Sequence, residues 1–106
     1  MKIYIAGKIT GRDNYKEEFK KVQEMLESQG HAVMNPSVML KGFEEPEYHH
    51  VCMAMIDVCE VLYFLPTWVD SKGAHLEMGY AYGKGKRIII HRENEIGALI
   101  DCMAEL

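Results

Sequence analysis

The stretch Glu60-Val61-Leu62-Tyr63-Phe64-Leu65 decides the fold. A strand with one wet face alternates apolar and polar residues, and this run does not alternate. A short, continuously apolar segment closed by Pro66-Thr67-Trp68 reads as a strand covered on both faces, the signature of the centre of a parallel sheet. Upstream of it, residues 47 to 58 read as a helix, with Tyr48, Val51, Met55 and Val58 as its inward set. Before that helix, residues 36 to 46 carry Pro36, Gly42 and Pro46 and read as loop with room for one helical turn. His31 to Met34 form a short strand stopped by Asn35-Pro36. A helix over about 14 to 29 aligns Tyr15, Phe19, Val22, Met25 and Leu26 on one face and ends at Gly30, where a C-cap glycine belongs. Lys2 to Ala6 make a buried first strand that runs into Gly7-Lys8-Ile9-Thr10-Gly11.

Downstream, Ser71 opens a helix that reaches about Gly83, and Arg87 to His91 form a fourth strand. Ile96, Leu99, Ile100 and Met103 define a final amphipathic helix. Strands alternating with helices imply right-handed crossovers and a parallel sheet with helices on both faces. The expected fold is therefore α/β, a Rossmann-like three-layer sandwich of four parallel strands in the order 2-1-3-4, with residues 1 to 106 as one domain. Ligands of such sheets bind beyond the carboxyl ends of the strands, at the switch point. That point lies between the first and third strands, where the Gly7–Gly11 loop and the Ser71 helix start both belong.

A chain of 106 residues buries a modest core, so self-association is expected. Sixteen acidic and twelve basic residues give a net charge of −4, with no basic stripe for a nucleic-acid polymer. A single nucleotide needs only a local pocket. The cysteines Cys52, Cys59 and Cys102 are odd in number and form no CxxC pair, which points to a reducing, cytoplasmic setting without a disulfide framework or zinc site. No apolar run approaches the ~18 residues of a membrane span.

Three features can carry chemistry. Glycines in Gly7–Gly11, directly after a strand, let backbone N–H groups approach an anion, although the spacing matches neither the dinucleotide fingerprint nor the P-loop. Ser71 can cap its helix or donate to a phosphate at the helix's positive end. Gly73, Glu77 and Ala81 follow at i, i+4, i+8, and a glycine inside a helix costs about 1 kcal/mol against alanine, so it needs a reason. A hollow in front of Glu77 supplies one. Tyr4, in the middle of the first strand, either packs in the core or aims its hydroxyl at that carboxylate. His49, His50 and His75 have no zinc-helix spacing and read as surface residues.

These stretches, Tyr4-Ile5-Ala6-Gly7-x-Ile9-Thr10-Gly11, Gly30-His31-x-Val33-x-Asn35-Pro36 and Leu65-Pro66-x-Trp68-x-x-Ser71-x-Gly73-Ala74-x-x-Glu77, resemble the nucleoside 2-deoxyribosyltransferase superfamily. That superfamily includes 2′-deoxynucleoside 5′-phosphate N-hydrolases, and the likeness is strongest to small phage- and bacteria-associated DUF4406-like proteins. The resemblance implies a flavodoxin-like fold, a homodimer or tetramer, no cofactor or metal, and a nucleoside or nucleotide as the partner. It implies cleavage of an N-glycosidic bond by a glutamate nucleophile, followed by hydrolysis or transfer. By matching position, Glu77 is that nucleophile and Tyr4 its orienting residue. Ser71 and Gly73 fall near the sugar or its 5′-phosphate, and Gly7, Lys8, Ile9 and Gly11 belong to the loop that wraps it. The superfamily's enzymes carry an aspartate eight residues before the acid that opens the third strand. Here that acid is Glu60, and Cys52 stands in the aspartate's place. The substitution sets a second expectation beside the enzyme: a nucleotide-binding module that keeps the pocket without the turnover. A purely structural or interaction protein is the third.

Overall fold

The computed structural model describes residues 1–9, 11, 14–38, 42–91 and 99–100. Strands β1 (Lys2–Ala6), β2 (Ala32–Met34), β3 (Val61–Phe64) and β4 (Arg87–His91) pair in parallel in the order β2-β1-β3-β4. Tyr4 lies opposite Leu62, and Leu62 opposite Ile88. Between them run helices α1 (Tyr15–Ser28), α2 (Glu45–Val58) and α3 (Lys72–Gly83), with short 3-10 turns at Pro36–Val38 and Pro66–Asp70. The expected sheet order is thus the observed one. Among the described residues no helix is long and apolar enough to cross a membrane.

Strand alternation sorts the core into two layers. Ile3, Ile5, Val61, Tyr63 and Leu65 pack with Phe19, Val22 and Leu26 of α1. Tyr4, Ala6, Leu62 and Phe64 face the other way, onto Cys52 and Ile56 of α2 and Ala74 and Ala81 of α3. All four residues of β3 are buried, as its unbroken apolar run requires. The parity of β1 therefore sends the Tyr4 side chain to the α2–α3 layer. Gly30 closes α1 at φ 91°, with the Gly30 N–H on Glu27 O and the His31 N–H on Leu26 O, a turn that a residue bearing a Cβ makes only under strain.

Two expectations are corrected. The inward face of α2 is Tyr48, Cys52 and Ile56, continued by Cys59, while Val51 and Val58 are exposed. The two stripes differ by one residue, a rotation of about 100°. Valine outranks cysteine as an apolar marker, yet the small thiol fits beneath Tyr4. Second, Leu99–Ile100 form a strand, β5, antiparallel to β4 with Ile90 opposite Ile100, in place of a final helix. Pairing there satisfies backbone groups that β4 would otherwise leave open as a sheet edge. Ile96 and Met103 lie outside the described residues.

Candidate active site

A cavity of about 670 Å³ opens beyond the carboxyl ends of β1 and β3. The loop after β1 contributes Gly7, Lys8 and Ile9 to its wall, the start of α2 contributes Glu45, Tyr48 and His49, and the start of α3 contributes Ser71, Lys72, Gly73 and Glu77. The sequence explains how these meet. Gly7 lies so close to β3 that a Cβ there would sit 3.0 Å from Leu65 Cδ1 and 3.2 Å from Phe19 Cζ. The Lys8 N–H donates to Thr67 Oγ1 at 3.1 Å, which ties the loop to the turn that leads into α3. Ser71 caps α3 by accepting the Ala74 N–H at 3.1 Å. Pro46 falls in the first turn of α2, where its missing N–H costs nothing, and Glu44 and Glu47 close a capping box. That start, two residues earlier than the sequence suggests, carries Glu45 into the cavity wall.

Glu77 is the buried carboxylate of this wall, 7% exposed between the small residues Ala74 and Ala81 of α3. The Tyr4 hydroxyl donates to Glu77 Oε2 at 2.6 Å. Burial pushes the Glu77 carboxyl up to about 7, against the pull of the tyrosine hydrogen bond. The Tyr4 phenol is driven well above its ordinary range, first by burial and then by the Glu77 charge. It is therefore a permanent donor, and the pair holds one carboxylate in fixed orientation at the cavity floor.

Of the other candidates, Gly7, Lys8, Ile9, Ser71 and Gly73 line the cavity. Gly11 does not, and its φ of 77° accounts for its being glycine. Cys52 is also not in the wall. It is fully buried behind it, against the Tyr4 and Tyr48 hydroxyls, and burial raises its thiol. Asp57 is exposed and accepts from the Tyr80 hydroxyl at 2.6 Å, so it does not stand in for a carboxylate at position 52.

From the sequence Tyr48 was an inward helix residue only, not a site residue, and His49 was misjudged as a surface residue. The Tyr48 hydroxyl donates to Pro36 O at 3.1 Å, which fastens α2 to the loop after β2. Asn35, 6% exposed, shapes that loop by accepting from both the N–H and the hydroxyl of Ser37. His49 is half-buried in the cavity wall, whereas His50 and His75 are exposed. The signal for His49 was its spacing, three residues before Cys52 and one turn after Glu45.

A family model described as a domain of unknown function, DUF4406, matches residues 1–90. No curated protein matches the chain. Among solved structures it is similar to the CMP N-glycosidase BcmB of Clostridium botulinum, with 22% identity over 85% of this chain and 70% of that one and a TM-score of 0.64. It is similar to a 2-deoxyribosyltransferase from Leishmania mexicana, with 20% identity over 84% of this chain and a TM-score of 0.69, and it spans only 62% of that protein. The 2-deoxyribosyltransferase of Bacillus psychrosaccharolyticus shares 18% identity over 85% of this chain and 71% of its own, with a TM-score of 0.69. At these identities the likeness is one of fold.

Proposed function

The chain belongs to the DUF4406 family and has a nucleoside 2-deoxyribosyltransferase-like fold, and on that premise we propose that it cleaves the N-glycosidic bond of a deoxynucleoside or its 5′-monophosphate. One observation carries the reading: a buried carboxylate, Glu77, oriented by the 2.6 Å hydrogen bond from Tyr4 at the floor of a cavity with room for a nucleotide. Ionised Glu77 attacks the anomeric carbon through an oxocarbenium-like transition state, and the base departs. The glycosyl ester on Glu77 then passes to water or to another base, which restores the carboxylate. Tyr4 keeps one carboxylate oxygen engaged and so aims the other.

A phosphate, where the substrate has one, has a place at the start of α3. The first amides of a helix lack intrahelical acceptors and sit at its positive end. The Ser71 hydroxyl remains free to donate while its oxygen caps the helix, and Lys8 and Lys72 stand in the same wall. The test is incubation with deoxynucleosides and deoxynucleoside monophosphates, followed by chromatography for free base. Release that is lost in Glu77→Ala supports the proposal, and no release from any of the common substrates overturns it.

A second reading has its own observation. The thiol of Cys52 stands where the resemblance calls for an aspartate, and Asp57 does not replace it. As a nucleotide-binding module, the protein would melt at higher temperature with nucleotide present and consume none. Glu77→Ala would then leave the shift intact.

A further inference from the structure

Breaking an N-glycosidic bond leaves an electron pair on a ring nitrogen of the base, and an acid that supplies a proton there speeds the departure. The groups already described do not supply it. Glu77 is committed to the anomeric carbon, and burial holds the Tyr4 and Tyr48 hydroxyls far above the range in which they release a proton. The Cys52 thiol is likewise raised and lies behind the wall.

His49 remains. Its Nδ1 is buried and has no hydrogen-bond partner among the described residues. Its Nε2 lies 3.6 Å from Glu45 Oε1, a carboxylate 85% exposed. Its Cε1 edge reaches across from α2 to α3, 3.1 Å from where a Cβ on Gly73 would stand. That approach, and not the space before Glu77, is what a side chain at position 73 would obstruct. Nδ1 is closed off from the cavity, which leaves Nε2 as the nitrogen the ring can offer to a ligand. Phe43, at the same end of the cavity wall just before α2, is 53% exposed and offers a flat apolar surface to a heterocycle.

We propose that His49 is a second catalytic residue of this cavity, the acid that protonates the base as it leaves, so that the base lies toward the start of α2. The inference rests on the glycosidic reading above. As the Glu77 oxygen bonds to the anomeric carbon, the glycosidic electron pair passes to the base and takes the proton from His49 Nε2. The ring is left neutral and takes its next proton from water.

The experiment compares two leaving groups. A purine deoxynucleoside needs its base protonated, whereas the 2-deoxyriboside of 4-nitrophenol releases a stable anion. For His49→Gln we expect kcat/KM to fall about 10²- to 10⁴-fold on the purine substrate and to stay within roughly threefold on the nitrophenyl one. Gly73→Ala, which crowds Cε1 and leaves the imidazole's chemistry alone, should show the same selectivity in weaker form. Matching melting temperatures establish that the variants fold. Equal losses on both substrates, or no loss on the purine, overturn the role of His49 while the glycosidic reading stands. Wild-type protein that cleaves neither substrate overturns the glycosidic reading and the inference with it.

Discussion

The Glu77 carboxyl is ordinarily near 4.5 and sits at about 7 in the fold, so it couples stability to the proposed activity. Between those two values the folded chain keeps a proton that the unfolded chain has released. Stability therefore falls as pH rises from about 4.5 to about 7 and is level above, and the total amounts to about 3 kcal/mol. Glu77→Gln removes the charge and still accepts the Tyr4 hydrogen bond. We expect it to be more stable than wild type by about 2–3 kcal/mol at pH 8 and equal to it at pH 4, in urea unfolding at the two pH values. The same substitution should abolish base release, since an amide does not attack the anomeric carbon. On the 4-nitrophenyl deoxyriboside, whose departure needs no acid, the wild-type rate should climb tenfold per pH unit below about 7 and flatten above it, because only the carboxylate is a nucleophile. Tyr4→Phe deletes the hydrogen bond that pulls the carboxyl down, so the midpoint of that climb should move above 7. A midpoint that stays in place would mean the phenol does not act on the Glu77 charge.

At the scale of the elements, β1 and β3 were legible because a parallel strand buried on both faces leaves an apolar run that nothing else explains. Helix α1 was legible because its single buried stripe, Phe19, Val22 and Leu26, faces a wet side rich in lysine and glutamate. Helix α2 was not, since Val51 and Val58 compete with Cys52 and Ile56 and only packing against Tyr4 and Leu62 decides between them. The choice has measurable content. Ile56→Ala should cost about 2–4 kcal/mol through the cavity it leaves, while Val58→Ala should stay within about 0.5 kcal/mol, both by chemical unfolding. The one-residue rotation also matters for the site. It brings His49 into the wall beside Tyr48, so misreading the stripe hid the imidazole. Glu77 and Tyr4 were legible as candidates from the resemblance, and Glu77 also from its spacing with Gly73 and Ala81, whereas the contact between them, 73 positions apart, is a product of topology alone. Leu99–Ile100 read as helix because apolar spacing over a few residues does not separate the two periods, and a nearby open strand edge decided the outcome.

At the scale of the molecule, the sheet divides the chain into two unequal tasks. One face is packed by α1 into a core cluster. The other carries the cavity, which lies between the starts of α2 and α3 and is floored by β1. A ligand there touches two helices whose opening turns meet at the His49 edge against Gly73, and the β1 loop, held to the turn before α3 by the Lys8 amide on Thr67. Binding should therefore stiffen these turns and leave α1 as it was. At a hundredfold excess over Kd a ligand stabilises the native state by about 2.7 kcal/mol, and for a chain of this size each kcal/mol raises Tm by roughly 4–8 °C. Glu77→Gln, which binds without turnover, is the form to use. With a deoxynucleoside 5′-monophosphate we expect a Tm rise of about 10 °C or more and slowed hydrogen exchange over residues 45–49 and 72–77. Exchange in α1 should change only through global unfolding. Protection that appears first over Tyr15–Ser28 would place the ligand on the α1 face of the sheet, away from Glu77, and both the glycosidic and the binding readings would fall together.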